Sequence, residues 1–259
     1  MTHPTPAAPS SAAAPAPSAW SLINLEVETR FDIAPDGRID REAAPDGSPG
    51  PLMFLAGCCE GVAMRLGRQV DQDLAAALSD LAADEPPLGD PDSAPRHLDR
   101  YLALLGPGCV ASRGLAYHLP HGTSAPGRAE TVLSGSPEAA RLEERFARDG
   151  MPPALAARNF HQVADLWPPY CLIMQDGEIA SMAFASRLGG RGAELGLETL
   201  TPFRGRGLAA LAVAGWSSHP ALAERSLFYS TAHGNHASQR VAAKLGLRFL
   251  GPTWAFASA

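Results

Sequence analysis

Between residues 194 and 216 the hydrophobic period of the chain changes from that of a strand to that of a helix, and few folds accommodate such a unit. Leu195, Leu197 and Thr199 fall on one face of an expected strand, and Glu194, Gly196, Glu198 and Leu200 on the other. Pro202 ends the ladder, and Leu208, Leu211, Ala212 and Gly215 then recur at helical spacing. The turn between them, Phe203-Arg-Gly-Arg-Gly-Leu-Ala209, opens the helix with two glycines interleaved with two arginines. The first N–H groups of a helix have no internal partner and carry the positive end of its dipole, and glycines let an anion approach them. Arg204 and Arg206 add charge and donors, so the turn is expected to hold a phosphate, and by preference a pyrophosphate. The plainer alternative is a glycine-rich turn with two solvated arginines.

Three nucleotide readings compete for this turn. A P-loop requires Lys-Ser or Lys-Thr after its last glycine, and Leu208-Ala209 stand there instead, which excludes it. A dinucleotide turn fits better, since Gly205-x-Gly207-x-x-Ala210 satisfies G-x-G-x-x-G/A in a strand–turn–helix context. Against it, the next expected strand, Leu227 to Ser230, runs into Thr231 rather than an acid for the ribose, and the roughly thirty residues that follow are too few for a doubly wound sheet. The third reading is an R-x-x-G-x-A loop, matched by Arg204, Gly207 and Ala209.

The segment Leu197 to Ala209, followed by Tyr229-Ser-Thr-Ala-His-Gly-Asn-His-Ala-Ser-Gln-Arg-Val-Ala-Ala-Lys-Leu-Gly-Leu247, resembles the GNAT superfamily of acetyl-CoA-dependent N-acetyltransferases. The resemblance covers roughly Tyr170 to Gly251, and its two motifs occur in the family's order and spacing. It implies an α/β (α+β) fold with a mixed, mostly antiparallel sheet flanked by helices. In such a fold the strand ending near Thr201 splays from the strand at Leu227–Ser230, and the pantetheine arm lies in the gap. It also implies coenzyme A contacts at Thr199, Leu200, Thr201, Arg204, Gly205, Arg206, Gly207, Leu208, Ala209 and Asn235. Asn235 is in addition an N-cap candidate for the helix Ala237–Leu245.

Acyl transfer to an amine needs a neutral nucleophile, because most primary amines are protonated at neutral pH. Glu198 and Glu194 share the strand face where many enzymes of the resembled family place a base, and Glu198 is the first choice. Four residues before the glycine of Lys-Leu-Gly, where many of them carry a tyrosine, this chain has Ala242. Ser238 is the nearest polar replacement as donor to the leaving thiolate, and Tyr229 is a weaker one. That departure motivates a second reading, a non-catalytic acyl-CoA-binding sensor, with a dinucleotide-binding oxidoreductase third.

At 259 residues and 46% hydrophobic content the chain can bury a sizeable core. A net charge of −6 without a basic run argues against nucleic acid or an anionic membrane surface as partner. Acetyl-CoA and an amine-bearing acceptor are the expected partners, and a homodimer is compatible with the reading. The four cysteines, Cys58, Cys59, Cys109 and Cys171, suit neither a metal site nor a disulfide framework, and the pairs His118/His121 and His233/His236 lack helical zinc spacing, so no metal is expected. Reduced thiols suggest a cytoplasmic protein.

Residues 1–19, almost all Ala, Pro, Ser and Thr, read as a disordered tail without the features of a signal peptide. Residues 20–90 form an accessory region: an alternating pattern from Trp20 to about Ile39 closed at Pro35-Asp-Gly37 predicts a hairpin, Leu52 to Ala56 a strand, and Val70 to Leu81 a helix. The transferase-like domain takes residues 91–259, after the Pro- and Asp-rich stretch 82–95. Within it a helix is expected at Arg96–Leu105 and the first strand at Gly114–Leu119. Two more helices follow at Pro137–Arg148 and Pro153–Trp167, a hairpin at Tyr170–Arg187, and two closing strands at Leu247–Leu250 and Trp254–Phe256.

Overall fold

The computed structural model describes residues 16–258. The chain opens with α1 (Ala19–Arg30), β1 (Phe31–Ile33), β2 (Ile39–Glu42), β3 (Met53–Cys58), β4 (Gly61–Leu66), α2 (Gln72–Ala83) and α3 (Leu98–Leu105). It continues with β5 (Cys109–Leu119), β6 (Glu130–Leu133), α4 (Pro137–Asp149), α5 (Pro153–Ala156), β7 (Tyr170–Gln175), β8 (Glu178–Leu188) and β9 (Gly192–Thr199). The last elements are α6 (Leu208–Ser217), β10 (Ser226–Ala232), α7 (His236–Lys244) and β11 (Arg248–Ser258). Nine strands form one sheet in the order β4-β3-β11-β5-β10-β9-β8-β7-β6, and every neighbouring pair is antiparallel except β9 and β10. A sheet with one parallel pair is not doubly wound, so the dinucleotide-type fold is excluded.

Helix α6 explains why the two halves of the 194–216 unit hold together. Leu208, Ala212, Val213 and Trp216 are buried in one core with Leu195 of β9, Ala183 of β8 and Cys171 of β7. Gly215 lets the helix approach, since a β-carbon there would lie 2.4 Å from the Cys171 sulfur. Burial pushes the Cys171 thiol up to about 12, so it is a packing residue without nucleophilic character at neutral pH.

Three expectations are corrected and one strand is added. Residues 20–30 are a helix, not a strand: Ser18 accepts a hydrogen bond from the N–H of Ser21 as N-cap, and Ala19, Leu22, Ile23, Glu26 and Val27 form its buried stripe. The hairpin exists but is shorter, pairing Phe31–Ile33 with Ile39–Glu42 around Pro35-Asp-Gly37. Ser18 and Ala19 are therefore structured, while the rest of the expected tail, residues 1–15, lies outside the described residues. The second is an addition: β6 (Glu130–Leu133), a strand not expected from the sequence, forms the sheet edge beside β7, while Gly114–Leu119 is the expected strand, within β5 between β10 and β11. Third, the helix expected over Pro153–Trp167 stops at Ala156, because Asn159 is left-handed (φ 66°) and a new 3-10 turn starts at Val163, capped by Gln162 and Asp165. Fourth, the two closing strands are one, β11, bulged between Phe249 and Gly251 where the Gly251 backbone meets that of Gly57.

β3 pairs with β11 and β4 with β3, so residues 53–66 extend the same sheet as the rest of the chain. Among the described residues, no helix is long and apolar enough to cross a membrane.

Candidate active site

β9 and β10 pair in parallel only from Gly192/Ser226 to Leu195/Tyr229. Beyond that point β9 stays with β8 as far as Thr199, while β10 stays with β5 as far as Ala232, so the two strands separate. A cavity of about 620 Å³ opens at the separation, walled by β9, the turn after it, α6 and α7. Gly205 (φ +76°) and Gly207 (φ +80°) are both left-handed, a backbone conformation that bulkier residues resist. Among the described residues, the N–H groups of residues 205–209 donate to no protein acceptor. Left-handed turns leading into a helix N-terminus with free N–H groups make an anion-binding concavity.

Of the residues singled out in the sequence, Glu198, Thr199, Arg204, Gly205, Gly207, Leu208, Ala209, Asn235 and Ser238 all line this cavity. Leu200 is buried in a separate core with Phe184 and Leu166, and Thr201 is exposed at the start of a 3-10 turn. Arg206 turns away, donating to Gln175 Oε1 (3.2 Å) and lying 5.5 Å over the Phe203 ring. Arg204 is tethered by Nε to the Thr199 carbonyl (3.0 Å) and by Nη2 to Glu198 Oε1 (3.4 Å). Arg158 adds a second guanidinium, 3.7 Å from the same Glu198 oxygen. Asn235 caps α7 by accepting from the Ser238 N–H (3.1 Å), and it also lines the cavity.

Arg240 and Lys244 were missed. They sit at i and i+4 on α7, and both line the cavity opposite the glycine turn, where Lys244 Nζ lies 3.0 Å from the point a Gly207 β-carbon would occupy. The i, i+4 pair of cations on the helix after Asn235 was the available signal.

Tyr229 is fully buried behind Ser238, its hydroxyl donating to the Ser238 carbonyl (3.1 Å) and also meeting the Ser238 hydroxyl. Burial pushes the Tyr229 phenol up to about 12, so it keeps its proton at neutral pH. When it gives that hydrogen to Ser238 Oγ, the serine hydrogen is free to point into the cleft.

Glu194 is elsewhere. It is 3% exposed, on the same strand face as Glu198 but outside this cavity, 3.5 Å from Arg30 and 3.3 Å from Arg187, and it accepts from Ser230 Oγ. Burial alone would raise its carboxyl, but Arg30, Arg187 and the Ser230 hydroxyl outweigh burial and hold it below the ordinary range. Glu26, equally buried, shares only Arg30 (3.2 Å), and burial pushes it up to about 7. The opposite directions follow from the partners: two guanidiniums and a hydroxyl on one carboxylate, one guanidinium on the other.

Glu26 therefore keeps a proton in the folded protein over a pH range where the unfolded chain has released it. That contribution to stability is complete below the ordinary carboxylate range and is lost as pH rises through about 7. Glu26→Gln, which mimics the protonated acid, should raise Tm relative to the parent at about pH 8, with the gap closing towards about pH 5. Parallel melting curves across that range would contradict the burial of a proton at Glu26.

Residues 129–248 match the family model of the acetyltransferase (GNAT) domain. The match identifies residues 129–248 as a GNAT acetyltransferase domain. A search of curated proteins finds no match. Among solved structures, a GNAT-family acetyltransferase from Colwellia psychrerythraea is 19% identical over 62% of this chain and 62% of its own, with a TM-score of 0.40. GCN5-related N-acetyltransferases from Kribbella flavida (20% identity, 63% and 64% covered, TM-score 0.42) and Sphaerobacter thermophilus (15%, 82% and 77%, 0.41) are similar to it. None of these likenesses assigns a residue or a substrate to this chain.

Proposed function

We propose that the chain transfers an acetyl group from acetyl-CoA to an amine by direct attack within a ternary complex, in the cytoplasm. The observation that carries the reading is the run of unpartnered N–H groups at residues 205–209, set on two left-handed glycines at the mouth of the strand separation. A pyrophosphate fits it: the N–H groups and the α6 dipole meet the oxygens, and Arg204, Arg240 and Lys244 neutralise the charge. The gap beyond Leu195 and Tyr229, with exposed strand edges on both sides, suits an extended amide-bearing arm.

Glu198 is the proposed base because it alone of the two strand carboxylates lines the donor cleft, and Glu194 is second. Ser238, backed by Tyr229, donates to the departing thiolate, whose pKa near ~8.5 makes it a tolerable leaving group. Ser238→Ala should lower kcat about tenfold with little change in donor affinity, the size expected for one neutral hydrogen bond made mainly in the transition state. An unchanged kcat would reduce Ser238 to a helix-start residue.

Thiol release from acetyl-CoA across a panel of amines tests the reading. Turnover with any acceptor supports transfer, and tight donor binding with no turnover on any of them would favour the acyl-CoA sensor.

A further inference from the structure

Glu198 leaves β9 on the face turned away from α6. Leu195 and Leu197 pack in the core beneath that helix, whereas Gly196 and Glu198 point to the opposite face, where the Phe184 ring occupies the space a Gly196 β-carbon would need. Phe160 and Trp167 meet that ring edge-on, with centroids 5.5 and 5.7 Å away, and Phe160 and Leu155 are buried in the same core. Arg158 stands between these two anchors, after the end of α5 and before the left-handed Asn159, so its backbone is held beside the face that carries Glu198.

The Arg158 guanidinium is loosely held. Its Nε lies 3.7 Å from Glu198 Oε1, beyond hydrogen-bonding distance, its side chain is 38% exposed, and Nη1 and Nη2 make no hydrogen bond to any described residue. Two guanidiniums further along the same face are committed, Arg30 to Glu26 and Glu194, and Arg187 to Glu42 and Glu194. Glu198 is open as well: Oε1 faces Arg158 and Arg204, while Oε2 has no partner among the described residues and is not buried.

On the acyl-transfer reading, Arg204 turns to the donor's pyrophosphate, and Arg158 is the cation left beside Glu198. When Glu198 takes a proton from the acceptor's ammonium group, its charge is neutralised and Arg158 loses its counter-ion. The amine so formed attacks, the C–N bond forms as the C–S bond breaks, and the proton displaced from nitrogen leaves with the thiol. Nothing in that step restores a negative charge beside Arg158. We propose that Arg158 selects the acceptor by binding a carboxylate carried on the same molecule as the amine. Such a carboxylate supplies the counter-charge as Glu198 gives it up, and the guanidinium fork offers it two parallel hydrogen bonds. With the amine about 3 Å from Glu198 Oε2, the reach to Nη1 and Nη2 suits α- and β-amino acids. The contact strengthens as the proton moves, so it raises kcat as well as lowering KM. This substrate class rests on the acyl-transfer reading; a carboxylate subsite at Arg158 stands without it.

Steady-state acetylation by the full chain at saturating acetyl-CoA compares glycine, L-alanine, L-leucine and β-alanine with the amide of each. At least one acid should show a kcat/KM at least about tenfold above its amide, the effect of charge-assisted hydrogen bonds to one guanidinium. In Arg158→Ala the acid-to-amide ratio should fall to about one or below, and in Arg158→Lys, which keeps the charge without the fork, it should lie between. The ratio does not depend on how much of a variant folds, since acid and amide meet the same molecules, and comparing it between variants cancels the difference in amine basicity. Calorimetry of the same acids on protein saturated with coenzyme A reads the subsite without turnover. Turnover of amines with no acid preferred, or a preference that survives Arg158→Ala, overturns the proposal and leaves the transfer reading standing. Acid binding that needs Arg158 but yields no acetylated product keeps the carboxylate subsite and removes the transfer reading. The absence of both acid binding and amine turnover removes the two together.

Discussion

Valine in place of Gly207 is expected to abolish coenzyme A binding while leaving a folded protein. Its φ of +80° is a conformation that a β-branched residue resists, and its β-carbon would sit 3.0 Å from Lys244 Nζ, in the path of the phosphate. Losing two charge-assisted hydrogen bonds at about 1.5–3 kcal/mol each implies a loss of affinity of at least about a hundredfold. Backbone strain of about 1–2 kcal/mol should lower Tm modestly. Gly177, also at +80°, sits in the β7–β8 turn with no atom within 4 Å of its would-be β-carbon. Gly177→Val should therefore reproduce the fall in Tm and keep full affinity. Unchanged affinity in folded Gly207→Val, read by calorimetry, would remove the turn from the site.

The second large effect belongs to Glu198. The amide of Glu198→Gln keeps the shape but accepts no proton, so kcat/KM should fall about a hundredfold or more near neutral pH with acetyl-CoA affinity roughly intact. Raising the pH supplies neutral amine from solution, and the variant should recover towards the parent as pH approaches the acceptor's own pKa. Glu198 also holds Arg204 and Arg158, and a purely structural role would give a different result: a loss independent of pH, with a lower Tm or weaker donor binding. Parallel pH–rate profiles would pass the assignment to Glu194 or to a water held by backbone groups.

The glycine turn and the cavity beside it were legible because their signals are local. Glycine spacing, a change of period and an N-cap asparagine each act within a few residues, and the fold sets them around one cavity. The charged cluster around Glu194 was not legible, for a reason visible in α1. Its buried stripe of Ala19, Leu22, Ile23, Glu26 and Val27 has helical spacing, but a glutamate occupies one of the positions, and the remaining apolar residues alternate well enough to imitate a strand. The glutamate is tolerable there only because Arg30, one turn on, pairs with it and with Glu194, 164 residues away. Glu194 likewise shares its strand face with Glu198, and no local pattern tells that the first is locked between Arg30 and Arg187 while the second opens onto the cleft. Sequence spacing likewise does not fix which way a surface arginine turns, and Arg206 turns to Gln175 and the Phe203 ring.

The position of β5 bears on how the chain is made. Its partners on both sides, β10 and β11, come much later in the sequence; Ser112 bonds to Ala255, 143 residues away. During synthesis β5 leaves the ribosome with both edges bare, and it stays so while β6 to β9 are translated and can pair among themselves. Closing such distant loops is slow, so the nascent chain passes through a state with a long unpaired strand, open to pairing with another chain. A demand for chaperones, and a yield that falls as translation is accelerated, would then come from topology rather than from weak stability of the finished protein.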